Sequence, residues 1–285
     1  MAFSPDGNYL ASAGGCFDKT VRLWDAVTGQ ELFVFVGHTY RVVAVAFTPD
    51  SRTLASLSDD GTLRFWDVEG GRQGRDPLRI RGGTSLAVHP AGQLLAVGTA
   101  QGTVELWRLE EAKLEAVWVG HAGAVHAVAF SPDGRMLAVA SQDTTISLWD
   151  VVGKQKLREL KGHSADVRCV AFHPQGTLLA SGSNDEKVIL WGATTGQVVH
   201  VFQGHTWYVT TVAFSPNGNF LASGSSDQRI LLWDLSQRKV GGALAGHEEG
   251  LLSVAFHPRR PLLASGSSDT RILLWDLSGV VGTRF

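Results

Sequence analysis

Long apolar runs are missing from this sequence. No stretch approaches the ~20 residues that a membrane-spanning helix needs. Cysteine is scarce: there are two, Cys16 and Cys169, far apart and in no CxxC pair. A zinc site therefore has no support, and the pair reads as two reduced thiols. An excess of one charge is missing too, with 25 Lys and Arg against 27 Asp and Glu. No broad field favours nucleic acid or an anionic membrane, although a small basic patch stays open. The opening Met1-Ala2-Phe3-Ser4-Pro5-Asp6-Gly7 has no basic n-region and no apolar h-region, so the expected compartment is cytoplasmic. No stretch offers a convincing helical period. Nucleotide signatures are absent as well: among 33 glycines, no GxGxxG opens a helix and no GxxxxGK[ST] occurs.

What is there is repetition. The chain has 285 residues, 44% of them hydrophobic, ample for a large core. Length alone suggests two domains, but self-similarity overrides that prior. Trp24, Trp66, Trp107, Trp149, Trp191, Trp233 and Trp275 are spaced by 42, 41, 42, 42, 42 and 42 residues. Asp follows all of them except Trp107 and Trp191, where Arg108 and Gly192 stand. A Gly-His pair precedes five of them at constant distance: Gly37-His38, Gly120-His121, Gly162-His163, Gly204-His205 and Gly246-His247.

The sixth repeat shows what one unit builds. Thr210 to Phe214 is a β-branched and apolar run. Ser215-Pro216-Asn217-Gly218 then places Pro and Gly where a type I turn prefers them. Phe220 to Ser225, Arg229 to Trp233 and Val240 to Ala245 are three further runs, separated by Ser226-Asp227-Gln228 and by the loop Ser236 to Lys239. Four short strands per period predict a four-stranded antiparallel blade. One blade cannot bury both faces; seven around a channel can.

The Gly-His and Trp-Asp registers resemble those of the WD-repeat family over essentially the whole chain, in a regular form similar to bacterial repeats. The resemblance implies an all-β, seven-bladed β-propeller with repeats 1–36, 37–78, 79–119, 120–161, 162–203, 204–245 and 246–285. It is specific for fold and weak for partner.

Four repeats carry a Ser, a His and an Asp beside the Trp: His38, Ser56, Asp60 and Trp66; His163, Ser181, Asp185 and Trp191; His205, Ser223, Asp227 and Trp233; His247, Ser265, Asp269 and Trp275. A catalytic triad is the tempting reading. Its recurrence, once per blade, argues against a single catalytic centre. The resemblance implies instead a hydrogen-bonded chain tying the strands of each blade. The fourth repeat has Val139 in the Ser position, and the third keeps only Trp107, with Arg79, Val97 and Gln101 at the other places. The first has no repeat His, and its second turn is two residues longer, through Gly14-Gly15-Cys16-Phe17. The third blade is thus expected to be the least rigid. The ten histidines do not form a metal set: five are repeat histidines, His89, His173 and His257 each precede a Pro, and His126 and His200 are remote in sequence. No catalytic, cofactor or metal residue is expected.

Binding residues favour loops on a rigid scaffold. The family's usual docking face lies where the fourth strand of one blade leads into the next. Here those loops read Thr39-Tyr40-Arg41, Ala122-Gly123-Ala124, Ser164-Ala165-Asp166, Thr206-Trp207-Tyr208 and Glu248-Glu249-Gly250. Trp207 and Tyr208 lie outside the tryptophan ladder and are the expected anchor, since aromatic and Arg residues dominate hot spots. Tyr40, Arg41, His126, Asp166, Arg168, Glu248 and Glu249 complete the expected partner-binding set. Trp118, in Val117-Trp118-Val119, is expected to pack at the outer strand.

Both ends fall short of the repeat by about ten residues in all. We expect an incomplete closure seam between first and last blades, with Val280 to Phe285 left to complete the last fourth strand, and an exposed edge there. A fragment of a longer protein is expected; similar bacterial chains place a signalling or ATPase module upstream. The expected function is a non-enzymatic protein-protein interaction scaffold for proteins or peptides, with no nucleic acid or membrane partner. The alternatives are an architectural or regulatory segment of a larger signalling protein, and a channel-based enzyme or small-molecule binder.

Overall fold

The computed structural model describes residues 1–279. Among them are 27 strands and no helix. They form seven antiparallel sheets, each strand beside its sequence neighbours, which is the blade pattern of an all-β propeller. Six sheets have four strands, and the seventh has three among the described residues. The first strand of the first sheet is only Ala2–Phe3. The expected completion of the last blade by Val280 to Phe285 lies outside the described residues.

The sixth sheet follows its sequence pattern closely. Its strands are Val209–Phe214, Phe220–Ser225, Arg229–Asp234 and Lys239–Ala245. The Gly218 N–H donates to the Ser215 carbonyl at 2.9 Å, closing the turn. Gly218 has φ +75°, a left-handed conformation that costs glycine little. Ser215 Oγ takes the Phe220 N–H at 3.0 Å and locks the next strand to the turn. In the fifth sheet His173 replaces that serine. Its Nδ1 accepts the Gln175 N–H at 3.1 Å, so Nε2 is the donor to the Gly218 carbonyl of the next sheet at 3.0 Å. A residue that reads as a turn substitute therefore also joins two blades.

The chain forms two compact units, the first Met1–Val128 and the second beginning at Ala129. In the first unit the core sits between successive sheets. Ala11, Leu23 and Phe35 of the first sheet pack with Val42, Phe47, Leu54 and Trp66 of the second. Leu57, Leu63 and Phe65 of the second pack with Leu95, Val97 and Leu109 of the third. The second unit repeats the scheme. Val188, Leu190 and Phe202 of the fifth sheet meet Val212, Phe214 and Trp233 of the sixth. Ile230, Leu232 and Leu244 of the sixth meet Leu251, Phe256 and Leu263 of the seventh.

A recurring aromatic pair fixes the spacing of these layers. Phe35 stacks on Trp66 with ring centroids 5.1 Å apart, and Phe202 lies on Trp233 at 4.9 Å. In each case the fourth strand of one sheet covers the tryptophan of the next. Such pairs add roughly 0.5–1.5 kcal/mol beyond their area burial.

Candidate docking surface

The four predicted side-chain chains are formed. Trp66 Nε1–H donates to Ser56 Oγ at 2.8 Å, Ser56 Oγ lies 2.8 Å from His38 Nε2, and His38 Nδ1 lies 2.9 Å from Asp60 Oδ2. Trp191, Ser181, His163 and Asp185 repeat it at 2.8, 2.8 and 2.9 Å. Trp233, Ser223, His205 and Asp227 do so at 2.8, 2.7 and 2.9 Å. Trp275, Ser265, His247 and Asp269 do so at 2.7 Å throughout. The indole can only donate, so the hydroxyl accepts from it and donates to Nε2, leaving Nδ1–H for the carboxylate. In that arrangement the Nδ1 proton of each imidazole faces its carboxylate.

The electrostatics agree with that assignment. Burial pushes His38 and His205 below the usual histidine value, and this outweighs the nearby carboxylates. Burial alone would raise the Asp60 carboxyl. Hydrogen bonds from Thr62, the Thr39 N–H and His38 outweigh it and hold Asp60 at about 2. Asp185 and Asp269 are held at about 2 by the same kind of partners against the same burial. The serines are fully buried and the histidines nearly so, so none of these four hydroxyls faces solvent.

The network ends at the loops. The carboxylate that holds each His also accepts the N–H of the following residue: Thr39, Ser164, Thr206 and Glu248, at 2.9–3.1 Å. A second serine grips the same loop from its other side. Ser58 donates to the Tyr40 and Arg41 carbonyls, Ser183 to Ala165, Ser225 to Trp207 and Ser267 to Glu249. The backbone of each loop is thus pinned while its side chains project. In the first unit Tyr40 is 55% exposed, and Arg41 is tied to Asp59. His126 is half-buried.

The second unit brings more of the expected set together. The strands Val167–Phe172, Val209–Phe214 and Leu251–Phe256 pack side by side, and the three loops lead into them. Trp207 is 53% and Tyr208 42% exposed. Their rings lie 5.2 Å apart at 39°. Arg168 and Glu249 are exposed and Asp166 half-buried. Glu248 pairs with Arg271 at 3.0 Å.

The family model described as WD domain, G-beta repeat matches residues 1–25, 29–67, 81–108, 112–150, 154–192, 196–234 and 238–276. The chain belongs to the WD-repeat family. Its WD units run out of phase with its blades. A matched unit such as 196–234 begins with the fourth strand of one sheet and ends with the Trp-Asp of the next. That phase joins Phe202 to the Trp233 it covers.

Among relatives, the chain is 37% identical over 114 residues to "Target of rapamycin complex subunit wat1" of Schizosaccharomyces pombe, covering 39% of this chain and 35% of that protein. It is 30% identical over 134 residues to "Periodic tryptophan protein 2" of Arabidopsis thaliana, covering 46% and 15%. It is 32% identical over 110 residues to "Transcription initiation factor TFIID subunit 5" of Caenorhabditis elegans, covering 38% and 17%. The chain thus spans about a third or less of each relative's length.

Two features of this WD-repeat chain escape its motifs. In the third and fourth blades the indole turns to its own strand: Trp107 Nε1–H donates to Glu105 Oε2 at 2.9 Å, and Trp149 to Ser147 Oγ at 2.7 Å. The signal was a side-chain oxygen acceptor two places before Trp, where the other blades have Arg22, Arg64, Ile189, Leu231 and Leu273. The other feature is Leu252. It is 62% exposed at a register break beside the Glu248–Gly250 loop. Trp118 is buried while Val117 and Val119 flank it exposed.

Proposed function

We propose that this WD-repeat chain is a non-enzymatic docking scaffold whose loops bind protein segments. The observation that carries the reading is the exposed Trp207–Tyr208 pair on a loop pinned from both sides. Ordering such a loop costs little on binding, because its backbone is already fixed. Arg168, Asp166, Glu248 and Glu249 form a polar rim around that anchor. Tyr40, Arg41 and His126 are the corresponding residues in the first unit. The partner that fits is a peptide or protein segment with an apolar anchor flanked by charges of both signs. Two of the relatives are named as subunits of complexes, which supports the scaffold reading. The same reading puts the chain in the cytoplasm, in keeping with its two free thiols.

The test is a quantitative pull-down from native lysate with the wild type and a Trp207→Ala/Tyr208→Ala variant. The variant should keep its melting temperature and lose specific partners. A hot-spot aromatic contributes about 2 kcal/mol or more, close to 30-fold in affinity. Unchanged recovery of every partner would reject the site. The small share of each relative that the chain spans favours a second reading, an architectural or regulatory propeller segment of a longer protein. That reading predicts unchanged recovery.

A further inference from the structure

The first unit contains a cavity of about 560 Å³ between the second and third sheets, away from the pinned loops. That volume is within the range of small-ligand sites. Arg75 lies in its wall, half-buried, with its guanidinium carbon 3.5 Å from the centroid of the Phe65 ring. One of its N–H groups donates to the Leu109 carbonyl. A guanidinium has five such donors, and among the described residues Arg75 has no carboxylate partner. A half-buried cation without a counter-ion is costly unless an anion comes to it.

The cavity arises from a local change in the repeat. Arg75 stands opposite Phe65, where the first sheet has Phe33 opposite Leu23. Phe33 fills its slot so closely that a Cβ on Gly71 would collide with the ring. Arg75 and Gly74 leave the next slot open. A Cβ on Gly74 would meet nothing nearer than 3.7 Å. The fourth strand here, Arg72–Arg79, also breaks register twice with its neighbour, where the corresponding strands of other sheets break once.

The charges of the wall select the ligand. Asp50 is engaged by the Thr48 hydroxyl and the Arg52 N–H. Asp67 accepts the Gly70 N–H and lies 3.8 Å from Arg72. Glu110 is exposed and has no ion-pair partner among the described residues. Two arginines, Arg52 and Arg75, thus face three carboxylates, Asp50, Asp67 and Glu110, in the same wall. That balance repels a phosphate dianion more than a carboxylate monoanion.

We infer that this cavity binds a peptide segment in which a carboxylate side chain neighbours a basic one, the carboxylate against Arg75 and the basic side chain against Glu110. The planar guanidinium suits a carboxylate in two-point contact. The site is separate from the Trp207 loop and stands or falls independently of it.

The test is an NMR titration of the Arg75 Nε–H and Phe65 ring signals with the peptide acetyl-Gly-Glu-Lys-Gly-amide. Saturable shifts are expected, at least tenfold weaker for the Gln and the phosphoserine counterparts of the Glu. Arg75→Met, which can still lie on Phe65, and Gly74→Leu, which fills the open slot, should abolish the Phe65 ring shifts. Glu110→Lys, at the exposed rim, should move the preference to acetyl-Gly-Glu-Glu-Gly-amide with the fold undisturbed. Equal binding of the Gln peptide, tighter binding of the phosphoserine peptide, or no change in preference with Glu110→Lys would each overturn the inference.

Discussion

Replacing Ser223 by Ala removes one oxygen from the sixth blade and disconnects three residues. Ser223 is fully buried. Its Oγ is 2.8 Å from Trp233 Nε1 and 2.7 Å from His205 Nε2. Alanine leaves an indole donor and an imidazole acceptor stranded among apolar neighbours. Each stranded group costs about 1–3 kcal/mol. The lower part of the summed range, about 2–4 kcal/mol, is expected, because Asp227 still holds His205 from its other side. With roughly 2–4 °C per kcal/mol for a large domain, the melting midpoint should fall by about 4–16 °C. The cleaner assay is a double-mutant cycle with Trp233→Phe, which deletes the indole N–H. Since both changes break one bond, the double variant should be less destabilised than the sum, by about 1 kcal/mol or more. Exchange of the Thr206 amide, which is held by Asp227 at 3.0 Å, should quicken as well. A cost below ~0.5 kcal/mol, or strict additivity, would refute the relay of hydrogen bonds described above.

Acid should weaken the blades. Asp60, Asp185 and Asp269 are held at about 2 in the folded chain, against about 3.9 unfolded. Their contribution is present above the unfolded value and lost as pH falls toward 2. The lowered His38 and His205 act in the same direction, because the unfolded chain binds their protons first. Denaturant midpoints should therefore rise with pH from 2 to about 7, and Asp60→Asn should flatten the acid part of that curve. Thiol titration should find one reactive cysteine in the native chain and two after denaturation. Cys16 is exposed, whereas burial pushes the Cys169 thiol up to about 12. Hydrogen exchange should be faster in the third blade than in the second, since Trp107 bonds only within its own strand; equal protection would contradict this.

The predicted strands of the sixth repeat agree with the observed ones to within a residue at each end. This is so because turn residues punctuate short β-branched runs, a purely local signal. The tetrads were legible for a different reason: four residue types recur at fixed offsets, and the resemblance to WD repeats implies a hydrogen-bonded chain among them. The substitutes Glu105 and Ser147 were not legible, because a polar residue two places before Trp has many local explanations. Nor was the grip of Ser58, Ser183, Ser225 and Ser267 on the loops. Serine in a strand announces no partner until the loop carbonyl is placed over it.

The repeat period, the turns and the recurring polar residues follow from the chain alone, since each rests on interactions within some 40 residues. What packs into the slot between two blades does not. Phe33 fills one slot and Arg75 leaves the next open, although both occupy the same place in their strands. That difference depends on side chains from two repeats meeting across a sheet interface, where shape and charge are matched in three dimensions rather than along the sequence.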